Sequence, residues 1–232
     1  MEKLLIEDRG QVVFIHLPKT GGFALHAALA RSLPESAVLR IGDAAEQAAF
    51  RAMPPAIAGR FALISGHVTL EEALVRARPE ARFVTLLRDP VARLLSAFNY
   101  MATWVEHPLH LQFRDLGFAD FIDSAGDALA GEACLQLTGL RTAAEAIPVL
   151  DACYALVGTT ARVDEVCLTL HRWLGLPPHR AERENVTQGQ GHITLDSRRL
   201  DRLLALTRED RLLFEHVAQR HAGLMAAPGV AL

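Results

Sequence analysis

Val12-Val13-Phe14-Ile15-His16-Leu17-Pro18-Lys19-Thr20-Gly21-Gly22, followed by Phe23-Ala24-Leu25-His26-Ala27-Ala28-Leu29, is the stretch that decides the fold. From Val12 to Leu17 the run is apolar except for His16, the pattern of a parallel strand covered on both faces. Leu25, Leu29 and Leu33 then recur every fourth residue, which predicts a helix with one stripe turned to the sheet. Gly21 and Gly22 lie between strand and helix. At such a junction the first N–H groups of the helix have no intrahelical partner and the helix dipole favours negative charge, so the loop reads as a phosphate cradle. Lys19 adds a mobile point charge at the same place.

A second junction has the same grammar. Phe83-Val84-Thr85-Leu86-Leu87 is apolar and β-rich, and it runs into Arg88-Asp89-Pro90-Val91-Ala92-Arg93-Leu94-Leu95-Ser96. Asp89 is a good N-cap and Pro90 suits the first helical position, so strand passes directly into helix. Arg88 is then expected at the strand's C-terminal end, with Ser96 about two turns along the helix. An arginine fork and a hydroxyl converging there make a second anion site.

The first loop is not the nucleotide P-loop Gly-x-x-x-x-Gly-Lys-Ser/Thr, because Lys19 precedes the glycines and no magnesium-binding hydroxyl follows it. Pro18-Lys19-Thr20-Gly21-Gly22 instead resembles the 5′-phosphosulfate loop of sulfotransferases that use 3′-phosphoadenosine 5′-phosphosulfate (PAPS). The stretch from Arg88 to Ser96 resembles the site where these enzymes hold the 3′-phosphate with an Arg and a Ser. The resemblance covers residues 12 to 100 and thins beyond them. It implies an α/β fold with a P-loop-like parallel sheet flanked by helices and a helical C-terminal part. It also implies PAPS as donor, its product PAP, and no metal. Donor contacts would come from Lys19, Thr20, Gly21, Gly22, Phe23, Ala24, Arg88 and Ser96. In most relatives two hydroxyl residues follow the glycines; Phe23 and Ala24 stand there here. Each lost bond to a charged group is worth about 1.5–3 kcal/mol.

Transfer of a sulfuryl group needs charge neutralised on the leaving phosphate and a base for the acceptor's proton. Lys19 suits the first task. His67 suits the second, because Gly66-His67-Val68 closes a strand whose C-terminal end should meet the same crevice. The heparan-sulfate 2-O-sulfotransferases have a similar Gly-His-Val with a histidine base, so the resemblance implies a hydroxyl acceptor, a saccharide or glycolipid-like molecule. His16 is read as a packing residue and His26 as a helix-surface residue. A catalytically weak homologue that binds PAP or another phospho-ligand is the alternative, motivated by Phe23 and Ala24. A kinase-like enzyme using ATP is the third reading, disfavoured by the glycine and lysine order.

Composition agrees with a small partner. The 232 residues are half apolar and carry a formal net charge of −3, which fits one α/β domain and gives no sign of a nucleic-acid groove. The expected division is a donor-binding core over 12–105, acceptor-side helices and loops over 106–150, and a last strand, lid loop and C-terminal helices over 151–232. No apolar run approaches the roughly 20 residues of a membrane span, and residues 1–9 are too charged for a signal peptide. Cys134, Cys153 and Cys167 are expected as buried free thiols in a reducing bacterial cytoplasm. No histidine or cysteine pair has metal spacing. Further strands are expected at 37–41, 61–64 and 154–157. Helices are expected at 44–53, 69–77, 118–124, 132–140, 163–174, 197–206 and 208–222. Asn185-Val186-Thr187 lies in the expected lid.

Overall fold

The computed structural model describes residues 10–181 and 195–226, with side chains described except at 125–129 and 221–226. Residues 1–9, Asn185-Val186-Thr187 and most of the expected lid therefore lie outside the described residues. Five strands, β1 (Val12–Ile15), β2 (Val38–Ile41), β3 (Leu63–Gly66), β4 (Arg82–Leu87) and β5 (Tyr154–Thr159), make one sheet in the order β2-β3-β1-β4-β5. Every pairing is parallel.

Helix α1 (Gly22–Arg31) carries the chain from β1 to β2; α2 (Ala44–Ala52) and the short α3 (Pro55–Ala58) precede β3; and α4 (Leu70–Leu74) precedes β4. After β4 come α5 (Pro90–Thr103), α6 (His110–Phe113), α7 (Phe118–Leu129), α8 (Glu132–Thr138) and α9 (Ala143–Cys153). Helices α10 (Val163–Trp173), α11 (Ser197–Leu206) and α12 (Arg208–Ala226) follow β5.

Alternation along β1 explains the layers. Val12 and Phe14 join α1 and α10 residues such as Leu25, Leu29 and Leu170 on one face. Val13 and Ile15 join Leu137, Leu150 and Leu213 from α8, α9 and α12 on the other. A satellite core of Leu94, Phe98, Phe113 and Phe121 sits under α5, α6 and α7. From β1 the chain turns towards β2, and from β4 it turns towards β5. The two neighbouring strands thus diverge at their C-terminal ends, where a doubly wound sheet opens a crevice.

Local signals fixed most boundaries. Asp43 with Glu46, and Thr69 with Glu72, form reciprocal capping boxes for α2 and α4. Asp89 caps α5 by accepting from the Ala92 N–H at 2.8 Å, with Pro90 in the first turn as expected.

Several expectations need correction. β3 begins two residues later than 61–64 and runs through Gly66, because only a residue without a Cβ fits there: one built at Gly66 would lie 1.9 Å from the Ile41 carbonyl oxygen. β5 likewise continues beyond the expected 154–157, through Gly158 and Thr159. Helix α9 was not anticipated, since Pro148 lies inside it; Thr142 nevertheless caps it by accepting from Glu145, a signal present in the sequence. The three thiols are free, and Cys153 is only half-buried.

Candidate functional site

Pro18-Lys19-Thr20-Gly21-Gly22 wraps the C-terminal end of β1 with two left-handed residues. Gly21 has φ 86°, and Lys19 has φ 66°, the one non-glycine residue with positive φ among the described residues. Such a conformation costs a non-glycine residue about 1–3 kcal/mol and persists where surrounding contacts hold it. The contacts are on hand. The Thr20 hydroxyl donates to the Leu17 carbonyl at 2.8 Å, closing the turn from inside. The Thr160 hydroxyl donates to the Thr20 carbonyl at 2.8 Å and approaches the Leu87 carbonyl at 3.2 Å, so the residue that follows β5 braces both the loop and the end of β4.

Helix α1 starts at Gly22 with no side-chain cap, which leaves the N–H groups of its first turn for a ligand or water. Gly22 has its own constraint: a Cβ there would lie 2.2 Å from His16 Cδ2. The Thr20 side chain is turned away from this N-terminus. Phe23 is 50% exposed, so its ring fills no part of the core.

Arg88 reaches the same place from β4. Its Nη1 donates to the Lys19 carbonyl at 3.2 Å. Burial lowers the Lys19 ammonium's proton affinity and the nearby Arg88 charge lowers it further. Burial also lowers that of Arg88, against which Asp89 acts in the opposite sense. Neither cation forms a salt bridge among the described residues. Two half-buried positive charges on and beside the loop that leads into an uncapped helix start favour an anion there. Lys19 Nζ rests 3.8 Å from the centre of the Tyr100 ring, a cation–π contact that holds the free chain's ammonium beside α5.

Ser96 lies on α5 one turn before Tyr100, on the same helix face. It is half-buried, and its hydroxyl forms no hydrogen bond with another side chain among the described residues. Arg93 has a structural task instead. It is buried, donates to Glu132 at 2.6 Å, and meets Asp210 at 3.4 Å. Asp210 in turn accepts from the Ala133 and Cys134 N–H groups, capping α8.

His67 stands where β3 ends. Its Nδ1 lies 2.8 Å from the His16 carbonyl oxygen. A carbonyl only accepts, so Nδ1 carries the hydrogen and Nε2 of the neutral ring keeps its lone pair. The His67 ring also stacks on the His16 ring, centroids 4.6 Å apart. His16 is held neutral, its pKa lowered to about 3 by burial and then by His67. Gln136 of α8 completes the arrangement by donating to both the His16 and Val68 carbonyls, at 3.1 and 3.2 Å. His26 corrects a reading, since it is half-buried rather than a surface residue, and its Nδ1 is enclosed without a partner among the described residues.

The loop residues Lys19 to Gly22, Arg88 and His67 thus gather at the ends of β1, β4 and β3. Sequence reasoning missed Tyr100, Gln136 and the bracing role of Thr160. Only Thr160 had a signal, its place after a strand-ending Val157-Gly158-Thr159. No group of three or more histidine, cysteine or acidic side chains able to hold a metal occurs among the described residues.

No family model matches the chain, and no curated protein does. Among solved structures, it is similar to a sulfotransferase from Alicyclobacillus acidocaldarius, with a TM-score of 0.54 and 14% identity over 90% of this chain and 96% of that one. It is also similar to mouse sulfotransferase SULT7A1 complexed with PAP, with a TM-score of 0.43 and 12% identity over 88% of this chain and 68% of that one. The first likeness shows the fold: a helix-flanked parallel sheet of the sulfotransferase kind.

Proposed function

We propose that the protein is a PAPS-dependent sulfotransferase that acts on a hydroxyl of a saccharide or glycolipid-like acceptor. The observation that carries this reading is the meeting of Lys19 and Arg88 across the switch point, both without a salt bridge among the described residues, beside an uncapped helix start. The shared fold with a bacterial sulfotransferase supports it. PAPS brings two phosphate groups, and two cationic strand ends with an open helix N-terminus suit them.

In this mechanism Lys19 and the N–H groups of Thr20, Gly21, Gly22 and Phe23 face the 5′-phosphate, while Arg88 and Ser96 hold the 3′-phosphate. His67 takes the acceptor's proton on Nε2, the nitrogen left free by the bond from Nδ1 to His16. As the acceptor oxygen bonds to sulfur, the bond from sulfur to the bridging oxygen breaks and that oxygen gains charge. Lys19 neutralises it, having left the Tyr100 ring for the stronger partner. The burial that lowers Lys19's proton affinity also raises the strength of its charge, because fewer waters screen it.

The donor assignment is tested by thermal stabilisation with PAP against ADP and ATP, each with and without magnesium. A ligand that binds only the folded state at 100 Kd adds about 2.7 kcal/mol. Selective stabilisation by PAP, independent of magnesium, is expected; a response confined to ATP with magnesium would replace the reading with phosphoryl transfer. The exposed Phe23 and the inward Thr20 hydroxyl favour one second reading, a weak homologue that binds PAP without turnover. Tight PAP binding with no transfer to any acceptor would select it. The chain is expected to work as one domain in the cytoplasm, with 12–105 binding the donor; no described helix is long and apolar enough to cross a membrane.

A further inference from the structure

We propose that Gln136 is a positioning residue for His67: its side-chain amide holds the carbonyl that decides which nitrogen of the His67 ring stays free. The inference rests on the reading of His67 as the base and deepens it. Gln136 Nε2 donates to two carbonyls, that of His16 at 3.1 Å and that of Val68 at 3.2 Å. Both partners can only accept, so the amide has one orientation, with its NH2 group towards them. His67 Nδ1 lies 2.8 Å from the same His16 oxygen. One carbonyl thus serves the His67 ring and Gln136 together, with a lone pair for each.

The two carbonyls flank the base. His16 is the residue after β1, and Val68 is the residue after His67. Backbone bonds hold the other side of these peptides, since the His16 N–H donates to the Gly66 carbonyl and the His67 N–H to the Ile41 carbonyl, each at 2.8 Å. Neither bond restrains the His16 oxygen itself. Gln136 supplies that restraint and ties the end of β1 to the exit from β3, with the His67 ring between them.

The amide is presented by a fixed support. Ala133, Cys134 and Leu137 of α8 are buried in the core beneath the sheet. Asp210 accepts from the Ala133 and Cys134 N–H groups at the start of α8, and the Tyr154 hydroxyl donates to the Leu137 carbonyl at 2.9 Å near its end. A side chain on such a helix has only its own rotamers left to order when it makes both bonds. The consequence is chemical. A base must offer a lone pair within hydrogen-bond reach of the proton it takes, and with Nδ1 held to His16 that lone pair is on Nε2. Once the His16 carbonyl is released, the ring exchanges tautomers, and part of the population presents N–H where the acceptor's O–H needs a lone pair.

The test reads the ring directly. Ring-nitrogen NMR is recorded in mildly alkaline buffer on full-length protein carrying isotope-labelled histidine, with the His67 signals assigned by their loss in His67→Ala. Wild type should show the Nδ1–H tautomer at His67. Gln136→Met, which keeps the length of the side chain and removes the donor, should show a mixture of both tautomers. Gln136→Glu, ionised and without a donor under these conditions, should do the same and replaces it if the methionine variant folds poorly. PAPS turnover with methyl glucoside as probe acceptor should fall about 10–100-fold in kcat in either variant, with the KM for PAPS and the stabilisation by PAP unchanged. A merely structural amide would lower the melting temperature and leave tautomer and kcat as they were, which overturns the inference, as does an Nε2–H tautomer in the wild type. The spectra decide the positioning whether or not the glucoside is turned over. The two readings fail separately: full turnover in His67→Ala removes the base and any catalytic role of Gln136 with it, whereas lost turnover in His67→Ala beside an unchanged Gln136→Met removes the role of Gln136 alone.

Discussion

Replacing Gly22 by alanine should couple the phosphate loop to the histidine pair in a measurable way. The new Cβ would lie 2.2 Å from His16 Cδ2, 2.4 Å from Nε2 and 2.8 Å from Cγ, and these three atoms are its nearest neighbours. The ring cannot simply swing aside, because it is stacked between Phe14 at 5.5 Å and His67 at 4.6 Å. Overpacking of this kind costs about 1–3 kcal/mol. For a chain of this size that corresponds to a fall in Tm of about 2–12 °C, at 2–4 °C per kcal/mol. In a His16→Ala background the obstacle is gone. Alanine at the start of α1 then gains about 0.5–1 kcal/mol over glycine from its lower backbone entropy. The four proteins of the cycle, melted with far-UV circular dichroism as probe, should give a coupling of at least about 1 kcal/mol between positions 16 and 22. Equal cost of Gly22→Ala in both backgrounds would refute the close approach and, with it, the mechanical link from loop to His67.

His67→Ala should lower kcat by about 10²–10⁴ while leaving stabilisation by PAP unchanged; full activity would remove the base assignment, and loss of the PAP response would make the ring a support for the loop. His16 gives a pH signature whose sign follows from its lowered pKa of about 3. Below about pH 6.5 the unfolded chain takes up a proton that the folded ring refuses, so stability is lost as pH falls from there towards 3, by up to about 1.4 kcal/mol per unit. Urea midpoints for wild type and His16→Ala should therefore converge on acidification; a constant gap between them from about pH 7 to pH 5 contradicts the neutral ring. Asp210→Ala strands the buried Arg93 and uncaps α8, and should cost about 3–5 kcal/mol in urea unfolding; a loss below about 1 kcal/mol would mean that Glu132 alone satisfies Arg93.

Legibility in the sequence followed from how local each cause is. The apolar runs ending in Lys19 and Arg88 marked β1 and β4, and Asp89-Pro90 marked the start of α5, because strand patterning and caps depend on neighbours a few residues apart. The same runs implied a crevice at the strand ends. Contacts made across the fold were not readable. Gln136 reaches the His16 carbonyl from 120 residues away, and Thr160 reaches Thr20 from 140. Gly66 lay beyond the expected strand because the reason for its smallness, the Ile41 carbonyl of a neighbouring strand, is likewise remote. Tyr100 passed unnoticed since an aromatic residue on a helix reads as core, whereas here it is a resting place for Lys19.

The arrangement also bears on how a donor would be gripped. Thr20 spends its hydroxyl on Leu17, and positions 23 and 24 hold a phenyl ring and a methyl group, so the loop offers a 5′-phosphate no free side-chain hydroxyl. What remains is backbone N–H, one ammonium and one guanidinium. Neutral hydrogen bonds in such a cradle change little with ionic strength, but charge attraction at a partly solvated site is screened over a Debye length of about 8–10 Å at physiological salt. A grip that leans on Lys19 and Arg88 should therefore weaken with salt. Their depressed proton affinities point the same way: burial penalises both charges, Arg88 adds to the penalty on Lys19, and a dianionic phosphate offsets that cost when it binds. Preorganisation by Thr160 and the strained Lys19 backbone then matters more than in a hydroxyl-rich loop, because fixed N–H groups must replace the bonds that side chains would otherwise supply.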